Sequence, residues 1–296
     1  MKKPAPMSFK PDLAEAAKRW EAYWQGEMID RPVVWVTAPR KGHIPVHRYG
    51  YREKVFGNLD EIIDNAIYNA GGTFYGGEAV PAYFPSFGPD EVAVFCGAEL
   101  CWNDHSSNTN WSKPYVDNWE DVLPLKLQQD HPLWQRMLEF YRKAAEKMSG
   151  KMLVMPLDLH TNMDLLAAIR SPEKLCMDLL DVPELIDRAM ADARSVFPQL
   201  WNAIVKAGRM EENGYANNTY SPEGAAVLQC DFSCMMSPDD FRRWVLPALE
   251  EEAEYVKHVV YHWDGLKALL HKDAVIESKG LHTMAFVPGT GHGAHI

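Results

Sequence analysis

The sequence predicts an α/β protein built from βα units. Strand-like and helix-like segments alternate along most of the chain, a pattern that favours parallel sheets in either a barrel or an open form. The strand candidates are short β-branched runs that read as buried, and several of the helices between them open with proline at the first turn. The chain is 296 residues long. Roughly 150 residues per domain would make that two domains, yet a barrel of 250 or more residues is often one.

The elements follow in order. A helix fits Pro11–Trp24, where Leu13, Ala17, Trp20 and Trp24 recur at helical spacing. Arg31–Thr37 reads as a buried strand and Leu59–Ala70 as a second helix. Residues 71–120 are rich in Gly, Pro, Asn and Trp, with strand candidates at Ala82–Phe84 and Val92–Cys96. So long an irregular stretch is expected to cover a site. Pro132–Ser149 is a helix and Met152–Met155 a strand. Pro172 and Pro183 start two helices, the second lined by Ile186, Met190, Phe197, Trp201 and Ile204. Ala225–Gln229 is a strand. Ser237-Pro238-Asp239-Asp240 resembles a capping box and opens a helix carrying Phe241, Trp244, Val245 and Leu249. Val259–Tyr261 and Leu281–Val287 are further strands.

Composition narrows the function classes. Thirty Lys+Arg against 41 Asp+Glu give a net charge of −11, which argues against nucleic acid as a partner. No apolar run approaches ~18 residues, so no membrane span is expected. The start, Met1–Lys10, has no apolar segment behind its two lysines. Five cysteines without a C-x-x-C pair read as reduced thiols of a cytoplasmic protein.

In parallel βα folds, ligands bind beyond the C-terminal ends of the strands. The residues that follow the strands are therefore the candidates. They are Arg40, His43, His47 and Arg48 after the first strand, and Asp158, His160 and Asn162 after Met152–Met155. Cys230, Asp231 and Cys234 follow Ala225–Gln229, and His262, Asp264 and Gly265 follow Val259–Tyr261. His262 and Asp264, separated by one residue, project to the same side of an extended chain. They could share a Zn²⁺ or work as an acid/base pair. Equally, the aspartate could orient a core histidine and cap the next helix. Cys230 and Cys234 fit either metal-ligand spacing or two packed thiols. Arg40, His43 and Arg48 could receive an anionic substrate or be a solvated loop. Trp102, Trp111 and Trp119 could wall a flat or cationic ligand or pack as core.

Several stretches resemble the uroporphyrinogen decarboxylase superfamily. They are Leu157-Asp158 through Asp164–Arg170, Asp178–Asp181 with Pro183-Glu184-Leu185, Val227–Ser233 with Ser237-Pro238 and Phe241, and Trp244–Pro247. Tyr261–Gly265 and Gly280-Leu281-His282 with Val287-Pro288-Gly289 complete the set. The resemblance implies a single (β/α)₈ TIM barrel over residues 31–296, preceded by a helical extension at 1–30. The chain ends where the family continues through a last strand and helix, so a C-terminally short barrel is expected, with either a homodimer or a covering segment at its open edge.

The resemblance also implies one of two chemistries. Decarboxylases of the family bind a tetrapyrrole and use no cofactor or metal. They grip propionates with an Arg-Gln-Ala-Gly-Arg run after the first strand and place an Asp after the second. Here Thr37–His43 lacks that run, and Tyr83–Pro89 has no Asp. The corrinoid-linked methyltransferases instead hold Zn²⁺ through a His-x-Cys pair and a later Cys. His262-Trp263-Asp264 stands where that pair is expected, with Asp in place of Cys. The expectation is thus an enzyme of methyl transfer on a small organic substrate, with a corrinoid protein as partner. The alternatives are tetrapyrrole decarboxylation and a barrel that binds without catalysing. The expected catalytic residues are His262, Asp264 and Asp231, with His262 and Asp264 as metal ligands. Arg40, His43, Arg48, Asp158 and His160 are expected to contact substrate.

Overall fold

A computed structural model describes residues 2–103 and 106–289. Its class is mixed α/β, and the chain divides into two compact units that interleave along the sequence. The first comprises Met1–Phe87, Gln135–Leu157 and Asn202–Ala226; the second comprises Gly88–Trp134, Asp158–Trp201 and Val227–Ile296.

In chain order the first stretch holds α1 (Leu13–Trp24), β1 (Trp35–Pro39), α2 (Tyr51–Phe56), α3 (Leu59–Gly71), β2 (Thr73–Gly77) and β3 (Ala82–Tyr83). Then come α4 (Glu91–Phe95), β4 (Glu99–Asn103), β5 (Ser106–Lys113), α5 (Trp119–Val122), α6 (Pro132–Met148) and β6 (Leu153–Val154). Four helices follow: α7 (Asn162–Arg170), α8 (Pro172–Asp181), α9 (Pro183–Ala207) and α10 (Met210–Asn213). The remainder is β7 (Tyr215–Ala216), β8 (Tyr220–Ser221), β9 (Ala225–Gln229), α11 (Pro238–Asp240), α12 (Leu246–Glu254), β10 (His258–Asp264), α13 (Lys272–Glu277) and β11 (Thr283–Val287).

The first unit is built on the apolar face of α1. Leu13, Ala17 and Trp20 pack with Val80, Leu153, Ala216 and Tyr220. The Trp20 indole donates to the Glu78 carbonyl, and the Trp24 indole to the Tyr220 carbonyl. So the helix of the expected extension at 1–30 contributes core to this unit. Strand β1 pairs antiparallel with β2, from Trp35 opposite Gly77 to Pro39 opposite Thr73. All five of its residues are exposed, which corrects the buried strand expected at Arg31–Thr37. A β-branched run satisfies strand propensity on either kind of surface, and burial does not follow from it.

The second unit holds the sheet that positions the candidate site, with strand order β11-β10-β9. Strands β10 and β11 run parallel, His262 opposite Ala285 and Asp264 opposite Val287, and β11 is the sheet's edge. Among the described residues the sheets have two or three strands and none closes on itself, so the closed eight-stranded barrel is not found in the hydrogen bonding. Val92–Cys96, expected as a strand, is helix α4 with Val92–Phe95 fully buried. A short apolar run bounded by turns does not distinguish a buried helix from a buried strand. The irregular stretch also contains the antiparallel pair β4–β5. Among the described residues no helix is long and apolar enough to cross a membrane.

Candidate functional site

Two neighbouring strands bring the chemistry together. β9 ends at Gln229, and Asp231 opens the 3₁₀ turn that follows it, Asp231–Met235. β10 continues through His262 to Asp264, so the two side chains share one face of an extended chain. Asp231, His262 and Asp264 each offer a ligand atom, and the three atoms lie within 4.8 Å of one another. All three residues are half-buried. One buried carboxylate oxygen of Asp231 and one of Asp264, both Oδ1, have no hydrogen-bond partner. Burial, helped by the nearby Asp164 carboxylate, pushes the Asp231 carboxyl up to about 6. A crowded set of acids with orphaned oxygens is what a cation would neutralise.

Asp164, in the first turn of α7, fixes Asp231. Its two oxygens accept the backbone N–H groups of Asp231 at 2.9 Å and Phe232 at 2.8 Å. His160 stands between two acids, with Nδ1 3.6 Å from Asp164 and Nε2 3.6 Å from Asp158. Burial opposes its charge, but the two carboxylates outweigh it and raise the imidazole well above its ordinary range. Burial also works against the Asp158 anion, yet His160, His262 and the Gln229 amide at 2.8 Å hold its carboxyl below the usual value. Asp158 and His160 thus form an ion-paired brace behind Asp231.

A second layer lies deeper. Thr161 Oγ1 donates to Glu252 Oε1 at 2.6 Å, and the Asn162 amide donates to Glu252 Oε1 at 3.4 Å and to the Gln229 carbonyl at 3.1 Å. Glu252 is fully buried, and this desolvation pushes its carboxyl up to about 8. Asn162 adopts a left-handed conformation, φ 50°, which asparagine tolerates better than most residues.

Small-molecule sites occupy cavities of about 300–1,000 Å³, and one of ≈ 490 Å³ opens beside this cluster. Its walls include Asp90, Trp111, His160, Asp164, Asp231 and Met235, and among the described residues its lining holds no Lys or Arg. Of the three tryptophans singled out in the sequence, Trp111 lines this cavity. Trp119 is buried and donates to Asp178 at 2.8 Å.

The thiols lie outside the ligand set. Cys230 is buried, and burial first and Asp164 second hold its thiol well above the ordinary range. Burial, with Asp231 and Asp264 nearby, also raises Cys234. The basic residues expected to contact substrate fall in the first unit. Arg40 donates to the Thr73 carbonyl at 3.1 Å, and the His43 ring lies 4.8 Å from that of Tyr68. Arg48 lines a separate cavity of that unit. Sequence reasoning missed Asp164 and Glu252 as site residues. An acid in the first turn of a helix beside Asn162 was a usable signal for Asp164. Glu252 sits in the run Glu250-Glu251-Glu252, which reads as a solvated face.

No family model matches the chain, and no curated protein is similar to it. Among solved structures it is similar to a methyltransferase from Methanosarcina mazei, at 14% identity and a TM-score of 0.57, over 94% of this chain and 75% of that one. At that identity the likeness is one of fold.

Proposed function

We propose that this protein is a methyltransferase of the uroporphyrinogen decarboxylase superfamily type, with a divalent cation held by Asp231, His262 and Asp264. The observation that carries this reading is the closure of those three ligand atoms to within 4.8 Å, with two carboxylate oxygens otherwise unpartnered. One imidazole and two carboxylates suit Zn²⁺ in a site with three protein ligands and an open fourth position. Two oxygens for two sulfurs make it a harder site than a thiolate one. When bound, such a cation supplies Lewis acidity toward a thiol or another methyl acceptor.

The chain's own residues then have distinct tasks. Asp164 holds the Asp231 backbone in register. His160, braced by Asp158 and Asp164, presents a protonated imidazole to the cavity. Trp111 and Met235 give the cavity apolar wall. Among the described residues the lining has three carboxylates and no Lys or Arg, which favours a small neutral or cationic substrate over a polyanion. That favours methyl transfer over tetrapyrrole decarboxylation. A methylated corrinoid protein is the donor in this reading, and the small sheets are parts of a barrel-type fold. The similarity to a methyltransferase structure supports the same reading at the level of the fold.

The test pairs elemental analysis with methyl transfer from methylcobalamin to a small thiol, followed by the corrinoid spectrum. Wild-type protein loaded with Zn²⁺ is expected to hold one ion per chain and to demethylate the corrinoid. His262→Ala is expected to lose both. Zn²⁺ content and turnover unchanged in that variant would overturn the proposal.

A further inference from the structure

The two pieces of chain that carry the Asp231, His262 and Asp264 cluster are bridged by a segment that the methyl-transfer reading does not use. After β10 the chain turns at Gly265, φ 84°, into a 3₁₀ helix, Leu266–His271, that leads to α13. Both ends of this segment are tied to the cluster's own backbone. The indole of Trp263, the residue between His262 and Asp264, donates to the Ala268 carbonyl at 2.8 Å. His271 Nε2 lies 2.7 Å from the carbonyl oxygen of Ser233, in the turn Asp231–Met235. We propose that His271 is a positioning residue, which sets Asp231 against His262 and Asp264 by clamping the turn after β9 to the segment after β10. The inference rests on the reading of that cluster as a cation site.

The chemistry of the contact fixes its direction. A carbonyl oxygen only accepts, so Nε2 carries the proton and donates. Nδ1 then holds a lone pair, which is buried and has no hydrogen-bond partner among the described residues. A buried acceptor without a partner is destabilising, and a leucine or phenylalanine would fill the same space without that penalty. What the histidine adds over an apolar residue is the Nε2–H donor, and that donor is directed at the turn that carries Asp231.

Packing on the other side aims the donor. His271 is buried, and its ring lies on that of Phe241 with centroids 4.4 Å apart and planes at 12°. Phe241 is itself fully buried and opens a π-helical turn, Phe241–Val245, just before Pro247. Proline has no N–H to continue the α-helical ladder, and single π turns are frequent at functional sites. A ring stacked on a buried neighbour cannot swing out of its plane, which keeps Nε2 on the Ser233 carbonyl. The receiving turn is held from its start as well. β9 ends at Gln229, so Asp231 lies past the strand and its placement depends on contacts such as these. Asp164 accepts the N–H groups of Asp231 and Phe232. The Ser233 N–H donates to the Cys230 carbonyl at 3.2 Å, and the Met236 N–H to the Ser233 carbonyl at 3.1 Å. Asp164 thus fixes the start of the turn and His271 its middle.

The experiment measures the Zn²⁺ affinity of the intact protein by competition with a chromophoric chelator, together with the visible spectrum of the Co²⁺-loaded protein. His271→Leu keeps a buried apolar side chain and removes the donor. His271→Gln returns an N–H near the position of Nε2. Trp263→Phe keeps a ring and releases the other end of the segment. His271→Leu is expected to bind Zn²⁺ about ten- to a hundredfold more weakly, the range for partners that orient metal ligands, with a shifted Co²⁺ spectrum. His271→Gln is expected to recover most of the affinity, although both variants lose the stack on Phe241 and melt lower. A residue that only packs would lower the melting temperature and leave the affinity and spectrum of the folded protein unchanged. Trp263→Phe is expected to weaken binding too, and it decides the question if His271→Leu fails to fold. Wild-type affinity in His271→Leu, or in Trp263→Phe where the leucine variant does not fold, would overturn this inference and leave the cation site standing. An equal loss in the leucine and glutamine variants would overturn it as well. Failure of the wild-type protein to bind either Zn²⁺ or Co²⁺ would overturn both readings.

Discussion

Glu252 is the residue whose environment departs furthest from its sequence context. It lies in a run of three glutamates, yet it is enclosed beneath Thr161 and Asn162 and its Oε2 has no partner. Folded Glu252 keeps its proton up to about pH 8, whereas the unfolded chain releases it near 4.5. Between those values the folded protein binds more protons, so stability falls as pH rises across that window and stays down above it. Glu252→Gln preserves the shape and removes the ionisation. Its stability should lose this slope and exceed wild type above pH 8 by an amount on the order of a few kcal/mol. Urea unfolding from pH 5 to 9 measures it, and parallel wild-type and variant curves would show that Glu252 does not ionise on unfolding. The same residue illustrates why burial escapes a sequence reading. A glutamate that faces water and one that faces Thr161 look identical until the helix is placed.

Among the elements, the join between α9 and α10 stores strain that has no visible return. Arg209 is exposed and left-handed, φ 49°, and its side chain caps nothing in α10. A left-handed conformation costs a non-glycine residue about 1–2 kcal/mol, partly offset by the greater entropy that glycine loses on folding. Arg209→Gly is therefore expected to stabilise the protein by about 0.5–1 kcal/mol, seen as a higher melting temperature. A lower one would mean that the arginine makes a contact worth more than the strain. Ser171 differs: it is left-handed at φ 81°, but its hydroxyl accepts the Lys174 N–H and caps α8. At this scale the sequence was most legible where periodicity was long. α1, α3, α6 and α9 lie close to where apolar spacing put them, and proline marks the starts of α8 and α9. The pairing of His262 with Asp264 was legible too, because alternation in a strand is a local property. Their closure with Asp231 needed β9 beside β10, which spacing within either strand does not encode. The hairpin β4–β5 and the helix α4 were hidden because short apolar or polar runs satisfy more than one local geometry.

On the scale of the whole molecule, the cluster at Asp231, His262 and Asp264 sets a competition between stability and function. The protein carries a net charge of −11, and two of its carboxylates meet at this site with buried oxygens that have no partner. Without a cation, burial and then the neighbouring carboxylates, Asp164 ahead of Asp264, penalise the charged form there and weaken the fold, as the upward shift of Asp231 records. A cation that binds only the folded chain reverses this, with a gain of about 2.7 kcal/mol at a hundred times its dissociation constant. The two effects predict opposite signs for one substitution. Asp264→Asn should melt higher than wild type in the presence of a chelator, because a repulsive charge is gone. In Zn²⁺ the order should invert, because wild type gains the cation's binding energy and the variant does not. His262→Ala should also lose the Zn²⁺-dependent rise, without the compensating increase in chelator. Calorimetry of the three proteins with Zn²⁺ and with chelator measures all of these. A wild-type melting temperature indifferent to Zn²⁺, together with an Asp264→Asn variant less stable in chelator, would mean that the carboxylates are held by the protein alone and that the cluster is a structural polar core.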